Sequence, residues 1–123
     1  MTSANFLLNL FRGKEALGFD AGDYVFKEGD QGDAMYVVLD GEVNIMRGSA
    51  LLETAGPGSI FGELALIDDA PRSASVVAKT DCQLAAVGRR QFEYMVTETP
   101  FFALTVMKIL ADRLRATTAK VSS

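Results

Sequence analysis

Apolar residues recur at two spacings along the chain, helical near both ends and strand-like in short runs between them. Near the start, Phe6, Leu7, Leu10 and Phe11 return at near-helical intervals, which places them on one face of a helix. The pattern predicts an amphipathic helix over about residues 4–16. We expect its apolar face to pack against another part of the protein.

The middle of the chain is divided by glycines into short apolar runs. Examples are YVFKE, AMYVVLD and EVNIMR, whose lengths are typical of antiparallel strands joined by turns. The dividing glycines are Gly18, Gly22, Gly29, Gly32, Gly41, Gly48, Gly56 and Gly58. This pattern predicts a small antiparallel β-roll over about residues 19–88, in which the runs are strands and the glycines lie in turns.

Glycine disappears from Arg89 onward, and the helical spacing of apolar residues returns. RRQFEYMVTE and PFFALTVMKILADRLRATTAKV repeat apolar residues at i, i+3, i+4 and i+7, and Pro100 suits the first turn of a helix. Two C-terminal helices are predicted, over about residues 89–98 and 100–119. The fold class is therefore α+β, a single domain over residues 1–123 with a jelly-roll-like antiparallel β-roll, a short N-terminal helix and two C-terminal helices.

The second C-terminal helix carries more apolar residues in its first half than in its last. The apolar positions are Phe102, Val106, Ile109, Leu110 and Leu114. The first of them are expected to pack on the β-roll. After residue 111 the pattern thins, and three outcomes stay open. The end of the helix projects into solvent, pairs with a second copy of the chain, or closes over a ligand.

Composition indicates one soluble globular domain, with 123 residues, 49% of them hydrophobic and 23% charged. Cys82 is the only cysteine and histidine is absent, so an internal disulfide is impossible and a structural metal site is not indicated. These features favour a reducing, cytoplasmic location. We expect neither a membrane span nor a signal peptide.

Charge is distributed unevenly. Residues 15–69 contain 12 acidic and 2 basic residues, whereas residues 70–123 contain 8 basic and 4 acidic residues. The acidic half repels polyanions, and the sequence has neither a basic stripe nor a recognition-helix pattern. We therefore expect no direct nucleic-acid binding by this chain, although a small anion could bind where local donors overcome the general field.

The segment FGELALIDDAPRSASV, residues 61–76, combines the features of an anion site. Gly58 and Gly62 bracket the preceding residues, and GELAL has the composition of a short helical turn whose first amides would lack partners. Close approach to those amides is possible because Gly62 has no side chain. Arg72 would add a planar fork of donors matched to phosphate oxygens, and Ser73 a hydroxyl.

A carboxylate in the same segment suggests what accompanies the anion. Glu63 would repel a phosphate at contact distance, but a few ångströms away it could accept hydrogen bonds from a pair of sugar hydroxyls. A phosphate at one end and a ribose hydroxyl at the other describe a nucleotide. The alternative is a structural salt bridge between Glu63 and Arg72, with glycines that serve only turns.

The same segment closely resembles the phosphate-binding cassette of the cyclic nucleotide-binding domain family. That family is shared by bacterial cAMP receptor proteins, protein kinase regulatory subunits and nucleotide-gated channels. FKEGDQGDAMYVVLDGEV, residues 26–43, also resembles the family's β-roll, including its pattern of glycine turns. The resemblance covers nearly the whole chain.

The resemblance implies a role for each residue of the cassette. Gly62, Leu64 and Ala65 would lie around the cyclic phosphate, with backbone amides donating to it. Glu63 would accept a hydrogen bond from the ribose 2′-hydroxyl. Arg72 would pair with the exocyclic phosphate oxygens.

Other roles implied by the resemblance concern the neighbours of the cassette arginine and the base. Ser73 would assist Arg72, and Ala74 would leave room for the ligand. Leu52 and Val76 would form apolar walls for the base, although a core position suits both equally well.

The resemblance also implies a relay and a contact to the base from the C-terminal region. Leu66 and Phe92 match a cassette leucine and a helix aromatic through which family members pass on ligand occupancy, and ordinary core packing is the alternative. Thr117 and Thr118 match a Thr-Ser pair that reaches the adenine amino group in bacterial cAMP receptor proteins. Exposure near a frayed helix end is the alternative for these threonines.

These observations predict a regulatory module that binds a cyclic nucleotide, with cAMP favoured over cGMP, and changes the arrangement of its C-terminal helices on binding. It would signal to an effector protein or a fused output domain, and the C-terminal helix could form a homodimer. The bacterial receptors continue into a DNA-binding domain where this sequence ends, so we expect either an excised piece of a longer protein or a separate partner. No cofactor is expected besides the nucleotide ligand.

Two other classes of function compete with this one. A cupin-like enzyme is disfavoured because histidine is absent, and Cys82 has no histidine to activate it as a nucleophile. We therefore expect no catalytic residue, no metal site and no enzyme activity. The remaining alternative is a β-roll interaction module that does not bind nucleotide, in which Arg72 has a purely structural role.

Overall fold

The computed structural model describes the backbone of residues 3–122 and the side chains of residues 4–116. The chain forms two compact units, of which the first ends at Arg89 and the second begins at Arg90. The single domain expected from the sequence stays a prediction.

The N-terminal helix α1 spans Ser3–Phe11, five residues shorter than the predicted helix at its C-terminal end. Gly13, with a φ of 86°, ends it, because this backbone conformation is left-handed and interrupts the helix. Leu7 and Phe11 are fully buried, so the apolar stripe packs as expected.

Eight strands follow, all paired antiparallel. They are β1 (Leu17–Phe19), β2 (Tyr24–Phe26), β3 (Ala34–Asp40), β4 (Val43–Arg47), β5 (Ala50–Ala55), β6 (Ile60–Phe61), β7 (Ser75–Ala78) and β8 (Cys82–Gly88). They form two four-stranded sheets, one in the order β1-β8-β3-β6 and the other in the order β2-β7-β4-β5. The predicted antiparallel β-roll is confirmed.

Side chains from both sheets form a shared hydrophobic core. Its fully buried members are Val38, Val43, Ala55, Phe61, Val76, Ala78, Cys82 and Leu84. Fully burying a valine, leucine or phenylalanine side chain stabilises the folded state by about 1.5–3 kcal/mol. Burial raises the pKa of the Cys82 thiol, so it stays protonated at neutral pH and is a poor nucleophile there.

A four-residue helix, α2 (Leu64–Ile67), interrupts the chain between β6 and β7. Its position in the roll is fixed on both sides, because β6 pairs with β3 and β7 pairs with both β2 and β4. The candidate cassette therefore starts from one sheet and ends in the other.

The last two helices are α3 (Arg89–Glu98) and α4 (Pro100–Ser122). Pro100 occupies the first position of α4, where its missing N–H and fixed φ cost little. Within this second unit the rings of Phe92 and Phe102 pack edge to face with centroids 6.0 Å apart. Within the described residues, no helix combines the length and the hydropathy that crossing a membrane requires.

Candidate functional site

The cassette begins with a sharp change of backbone direction at Gly62. Gly62 has a φ of 80°, and the next residue, Glu63, already has helical dihedral angles of −68° and −27°. A side chain at Gly62 would be strained by this φ, and its Cβ would lie 2.7 Å from Nη1 of Arg72. The turn therefore needs glycine for its conformation and for the arginine beside it.

Helix α2 leaves amide donors at its start. Its first backbone hydrogen bond runs from the amide of Leu66 to the carbonyl oxygen of Glu63, at 3.0 Å. The amides of Leu64 and Ala65 precede that bond and have no acceptor within the helix. The predicted short helical turn is present, with amide donors at the predicted positions.

Arg72 is buried beside this turn, with 7% of its surface exposed. Its Nη1 donates to the carbonyl oxygen of Gly62 at 2.9 Å, and its Nη2 donates to that of Ala34 at 2.7 Å. The guanidinium carbon lies 3.9 Å from the ring centroid of Phe26, which is a cation–π contact. Two strands and the cassette turn therefore fix the orientation of one side chain.

A second glycine makes room for that guanidinium. A Cβ at Gly32 would lie 2.4 Å from both Cζ and Nε of Arg72, closer than any side chain tolerates. The backbone of the arginine is also fixed, because its amide donates to Asp30 and its carbonyl accepts from Gly29, both at 2.8 Å. The loop between β2 and β3 thus forms one wall of the space around the Arg72 side chain. We call this space the arginine slot, and Phe26, Gly32, Ala34 and Gly62 line it.

The charge of Arg72 is not balanced by an ion pair in the described structure. None of the ion pairs described among residues 4–116 includes it, and its two described acceptors are backbone carbonyls. Burial lowers the pKa of Arg72, and the nearby Tyr36, Asp33, Asp30 and Glu63 oppose that effect. The structural salt bridge to Glu63 considered above is not among the described contacts.

Glu63 is 3% exposed and directly follows the turn. It occupies the N-cap position of α2, but its side chain makes no capping hydrogen bond to the helix. Its carboxylate is therefore not used in the way an acidic N-cap residue usually is. The structure brings Gly62, Glu63 and Arg72 together, as the cassette pattern requires.

The remaining predicted cassette residues follow Arg72. Ser73 is exposed, and its carbonyl oxygen accepts a long hydrogen bond of 3.4 Å from Nε of Arg47 at the end of β4. Ala74 is buried. Leu64 is largely exposed and Ala65 buried, so their side chains point in different directions while their amides both lie at the start of α2.

The residues expected to contact the base are not assembled into a site by the described contacts. Leu52 is 39% exposed on β5, whereas Val76 is 1% exposed and belongs to the core between the sheets. Core packing is the observed environment of Val76. The side chains of Thr117 and Thr118 lie outside the described residues, although the backbone there is helical.

The proposed relay residues are both buried, which also fits ordinary packing. Leu66 is buried on α2 in the first unit, and Phe92 is buried on α3 in the second. Their predicted role in passing on ligand occupancy stays a prediction.

Sequence reasoning missed three residues that position the cassette arginine. Phe26, Gly32 and Ala34 all contact or face Arg72, although they precede it by about forty residues. All three lie within the stretch FKEGDQGDAMYVVLDGEV, whose resemblance to the family's β-roll implies no role for these positions. The glycine of the GDA triplet was the available signal, because a turn alone does not explain two glycines so close together.

Known proteins resemble this chain over most of its length. Residues 17–99 match the family described as "Cyclic nucleotide-binding domain". A cAMP-dependent protein kinase regulatory subunit of Emericella nidulans is 44% identical over 84 residues, covering 67% of this chain and 20% of that protein. The Cyclic AMP receptor protein of Thermus thermophilus is 36% identical over 102 residues, covering 79% of this chain and 47% of that protein.

A solved structure gives the same result for the fold. The catabolite activator protein of Thermus thermophilus superposes with a TM-score of 0.80 at 30% identity, over 98% of this chain and 57% of that one. The chain thus spans between a fifth and about half of the length of the curated relatives named above. The family match, the β-roll and the arginine slot agree, and the chain belongs to the cyclic nucleotide-binding domain family.

Proposed function

We propose that this chain binds a cyclic nucleotide, cAMP in preference to cGMP, through the cassette of residues 62–74. The observation that carries the proposal is Arg72, a buried guanidinium whose described acceptors are two backbone carbonyls. Burying a cation is costly unless it is paired and hydrogen-bonded, and a phosphate would supply the pairing charge that none of the described ion pairs gives Arg72. The names of the relatives, cAMP receptor and cAMP-dependent kinase regulatory subunit, support the choice of ligand.

The phosphate would be held by donors of Arg72 and of the start of α2 that the described hydrogen bonds do not use. A guanidinium has five N–H donors, and the described hydrogen bonds use one on Nη1 and one on Nη2. The remaining donors of Arg72 and the amides at the start of α2 would bind the phosphate oxygens, with Gly62 allowing close approach and Ser73 at the rim. Such charge-assisted hydrogen bonds are about twice as strong as neutral ones.

Glu63 would select the sugar. An ionised carboxylate only accepts hydrogen bonds, so it suits the 2′-hydroxyl of ribose and gains nothing from a 2′-deoxyribose. Glu63 is 3% exposed, and a hydrogen bond from a hydroxyl to an ionised carboxylate is charge-assisted and therefore stronger than a neutral one. We assign the ribose contact to Glu63 on this basis.

The preference for adenine over guanine depends on the base contacts. Thr117 and Thr118 on α4 would accept from the adenine amino group. A threonine hydroxyl can also donate to the carbonyl oxygen of guanine, so the choice of cAMP rests on the names of the relatives. Leu52 and Val76 would contribute the apolar walls. These four assignments come from the family resemblance.

The proposed activity is regulation without catalysis. Nucleotide binding would shift the arrangement of α3 and α4 through Leu66 and Phe92, provided that the two arrangements bind nucleotide unequally. An effector protein or a fused output domain would read that change, and α4 would form any homodimer. A cytoplasmic location fits a signal carried by cAMP.

Calorimetric titration with cAMP and with cGMP tests the proposal. The chain is first unfolded and refolded to remove any co-purified nucleotide, and its fold is checked by circular dichroism. We expect saturable binding, tighter for cAMP, and a loss of about 100-fold or more in Arg72→Ala, because that variant removes a buried charge-assisted contact. Arg90→Ala, an exposed arginine eighteen residues later, serves as the matched control.

Two results would contradict this assignment. A folded, nucleotide-free chain that binds neither ligand would favour the interaction module, with Arg72 as a structural residue. Binding that is equal in wild type and Arg72→Ala would place the nucleotide elsewhere. Tighter binding of cGMP would keep the cassette assignment and overturn the base preference.

A further inference from the structure

A second arginine holds the opposite end of the cassette helix. Nη1 of Arg89 donates to the carbonyl oxygen of Leu66 at 3.1 Å, and its Nη2 donates to that of Ala65 at 3.2 Å. The same Nη2 also pairs with the carboxylate of Asp69. One guanidinium therefore bonds two carbonyls and one carboxylate of the cassette.

The need for this contact follows from the shortness of α2. The last carbonyls of any helix have no partner within it, and a four-residue helix consists largely of such ends. A cation at a helix C-terminus meets both the unpaired carbonyls and the negative end of the dipole. Arg89 supplies that cation from a strand end more than twenty residues later.

The turn after α2 is strained at the residue that Arg89 pairs with. Asp69 has a φ of 58°, the only positive value among the described residues that are not glycine. Aspartate tolerates this conformation better than most residues, but it is still uncommon. The preceding Asp68 accepts a hydrogen bond from the amide of Ala70 at 3.1 Å, so side chains on both sides define the turn.

The β3–β8 strand pair supports both Arg72 and Arg89. Ala34, whose carbonyl binds Arg72, pairs with Gly88 across β3 and β8, and Arg89 is the next residue after Gly88. The front of the cassette is thus tied to β3 and the back of α2 to the end of β8. A displacement of α2 must either carry Arg89 with it or break its hydrogen bonds.

Arg89 is also the first residue of α3, the helix that leads out of the β-roll unit. We propose that Arg89 is a positioning residue that holds α2 ready for the phosphate and passes the movement of α2 on to α3. The inference rests on the proposed nucleotide binding at Arg72, and it concerns a different residue and a different readout. Arg89 touches the cassette backbone and is assigned no contact with the ligand.

The parts of this contact are unequal. The Asp69 side chain is 77% exposed and that of Arg89 is 38% exposed, so solvent weakens their ion pair. The two carbonyl contacts depend on the fork geometry of the guanidinium, which lysine lacks. We therefore rank the expected losses as Arg89→Gln first, Arg89→Lys second and Asp69→Asn last.

The experiment compares these three variants with wild type and with Arg90→Gln. Arg90 is the adjacent, exposed arginine, so the control changes the same charge one residue away. Each protein is titrated calorimetrically with cAMP, and hydrogen exchange of residues 89–98 is then measured without nucleotide and with saturating cAMP. Saturation separates the movement of α3 from any loss of affinity, and thermal unfolding reports stability.

We expect Arg89→Gln to bind cAMP about three- to tenfold more weakly than wild type, in line with the loss of partly exposed charged hydrogen bonds. At saturation it should also lose most of the change in exchange that cAMP causes in α3, whereas Arg90→Gln keeps both. A merely structural role would lower the unfolding temperature and leave the cAMP-dependent exchange change intact.

Three outcomes overturn the inference. The first is wild-type affinity and a wild-type exchange change in Arg89→Gln, which leaves the proposed function standing. The second is an effect of equal size in Arg90→Gln, which would mean that Arg89 acts only through the net charge of this region. The third is an absence of cAMP and cGMP binding in wild type, which removes the proposed function as well. If Arg89→Gln fails to fold, Arg89→Lys and Asp69→Asn decide by the same two readouts.

Discussion

Arg72 bonds the turn before α2 and Arg89 bonds the end of α2, but the two arginines differ in what balances their charge. Arg72 is almost fully buried, and no described ion pair includes it. Arg89 is partly exposed and is paired with Asp69. Both donate to backbone carbonyls of the cassette. An anionic ligand is therefore expected at the first arginine, whereas the second already has its anion within the chain.

The largest expected effect comes from replacing Arg72 by lysine. Arg72→Lys keeps the charge and loses the fork that bonds Gly62 and Ala34 and would bond the proposed phosphate, so cAMP affinity should fall about 100-fold. Arg89→Lys should cost only a few-fold. Calorimetric titration of both variants with cAMP measures the difference. Equal losses of affinity would contradict the distinction between a ligand-binding Arg72 and a positioning Arg89.

A methyl group in the arginine slot should have the next largest effect. Gly32→Ala places a Cβ where the Arg72 guanidinium now lies, so the arginine must shift, and cAMP affinity should fall about tenfold or more. Gly56→Ala is the matched control, because a Cβ there meets nothing within 4 Å and the φ is ordinary. Similar affinities in the two variants would show that the position of Arg72 is not critical.

The aromatic ring under the guanidinium should contribute less. Phe26→Leu removes the cation–π contact and part of the ring packing on Tyr36 and Phe61, so affinity should fall about three- to tenfold. Phe26→Trp preserves an aromatic face, so its cAMP affinity should fall less than that of Phe26→Leu. Repeating Phe26→Leu in the Arg72→Lys background should give a smaller loss, and an undiminished loss there would indicate that the ring does not act through Arg72.

The smallest expected effect belongs to the exposed ion pair. Asp69→Asn should lower the free energy of unfolding by about 0.5 kcal/mol or less, because both partners are accessible to solvent. That difference should disappear between about 0.1 M and about 1 M salt, where the Debye length shortens from about 10 Å to about 3 Å. Chemical denaturation at both salt concentrations measures it, and a loss that persists at high salt would indicate a buried role for Asp69.

The turn at Gly62 and helix α2 were predictable because their signals are local, whereas the anion site stays a prediction. Gly62 followed by a short apolar helical run indicated the turn and α2, and an arginine among small residues indicated an anion site. The two C-terminal helices followed from their spacing and from Pro100. Each of these inferences needs only residues that are neighbours along the chain.

The arginine slot was not predictable because its parts meet only through strand register. Phe26 and Ala34 reach Arg72 through the pairing of strands that are far apart in sequence. No pattern among neighbouring residues predicts which strands pair. The end of α1 was misplaced for a different reason. The apolar stripe that predicts α1 ends at Phe11, and Gly13 adopts a left-handed conformation that stops the helix two residues later.

The acidic groups around Arg72 also limit how much negative charge the slot can accept. One guanidinium faces the nearby carboxylates of Asp30, Asp33 and Glu63. A cyclic phosphodiester carries one negative charge, whereas a terminal phosphate monoester carries about −1.5 to −2 at neutral pH. Those carboxylates would repel the extra charge of a monoester or a triphosphate more strongly than the single charge of the proposed cyclic ligand. Hydrolysis of the phosphate ring is therefore expected to weaken the proposed binding at Arg72, because it adds negative charge beside these carboxylates.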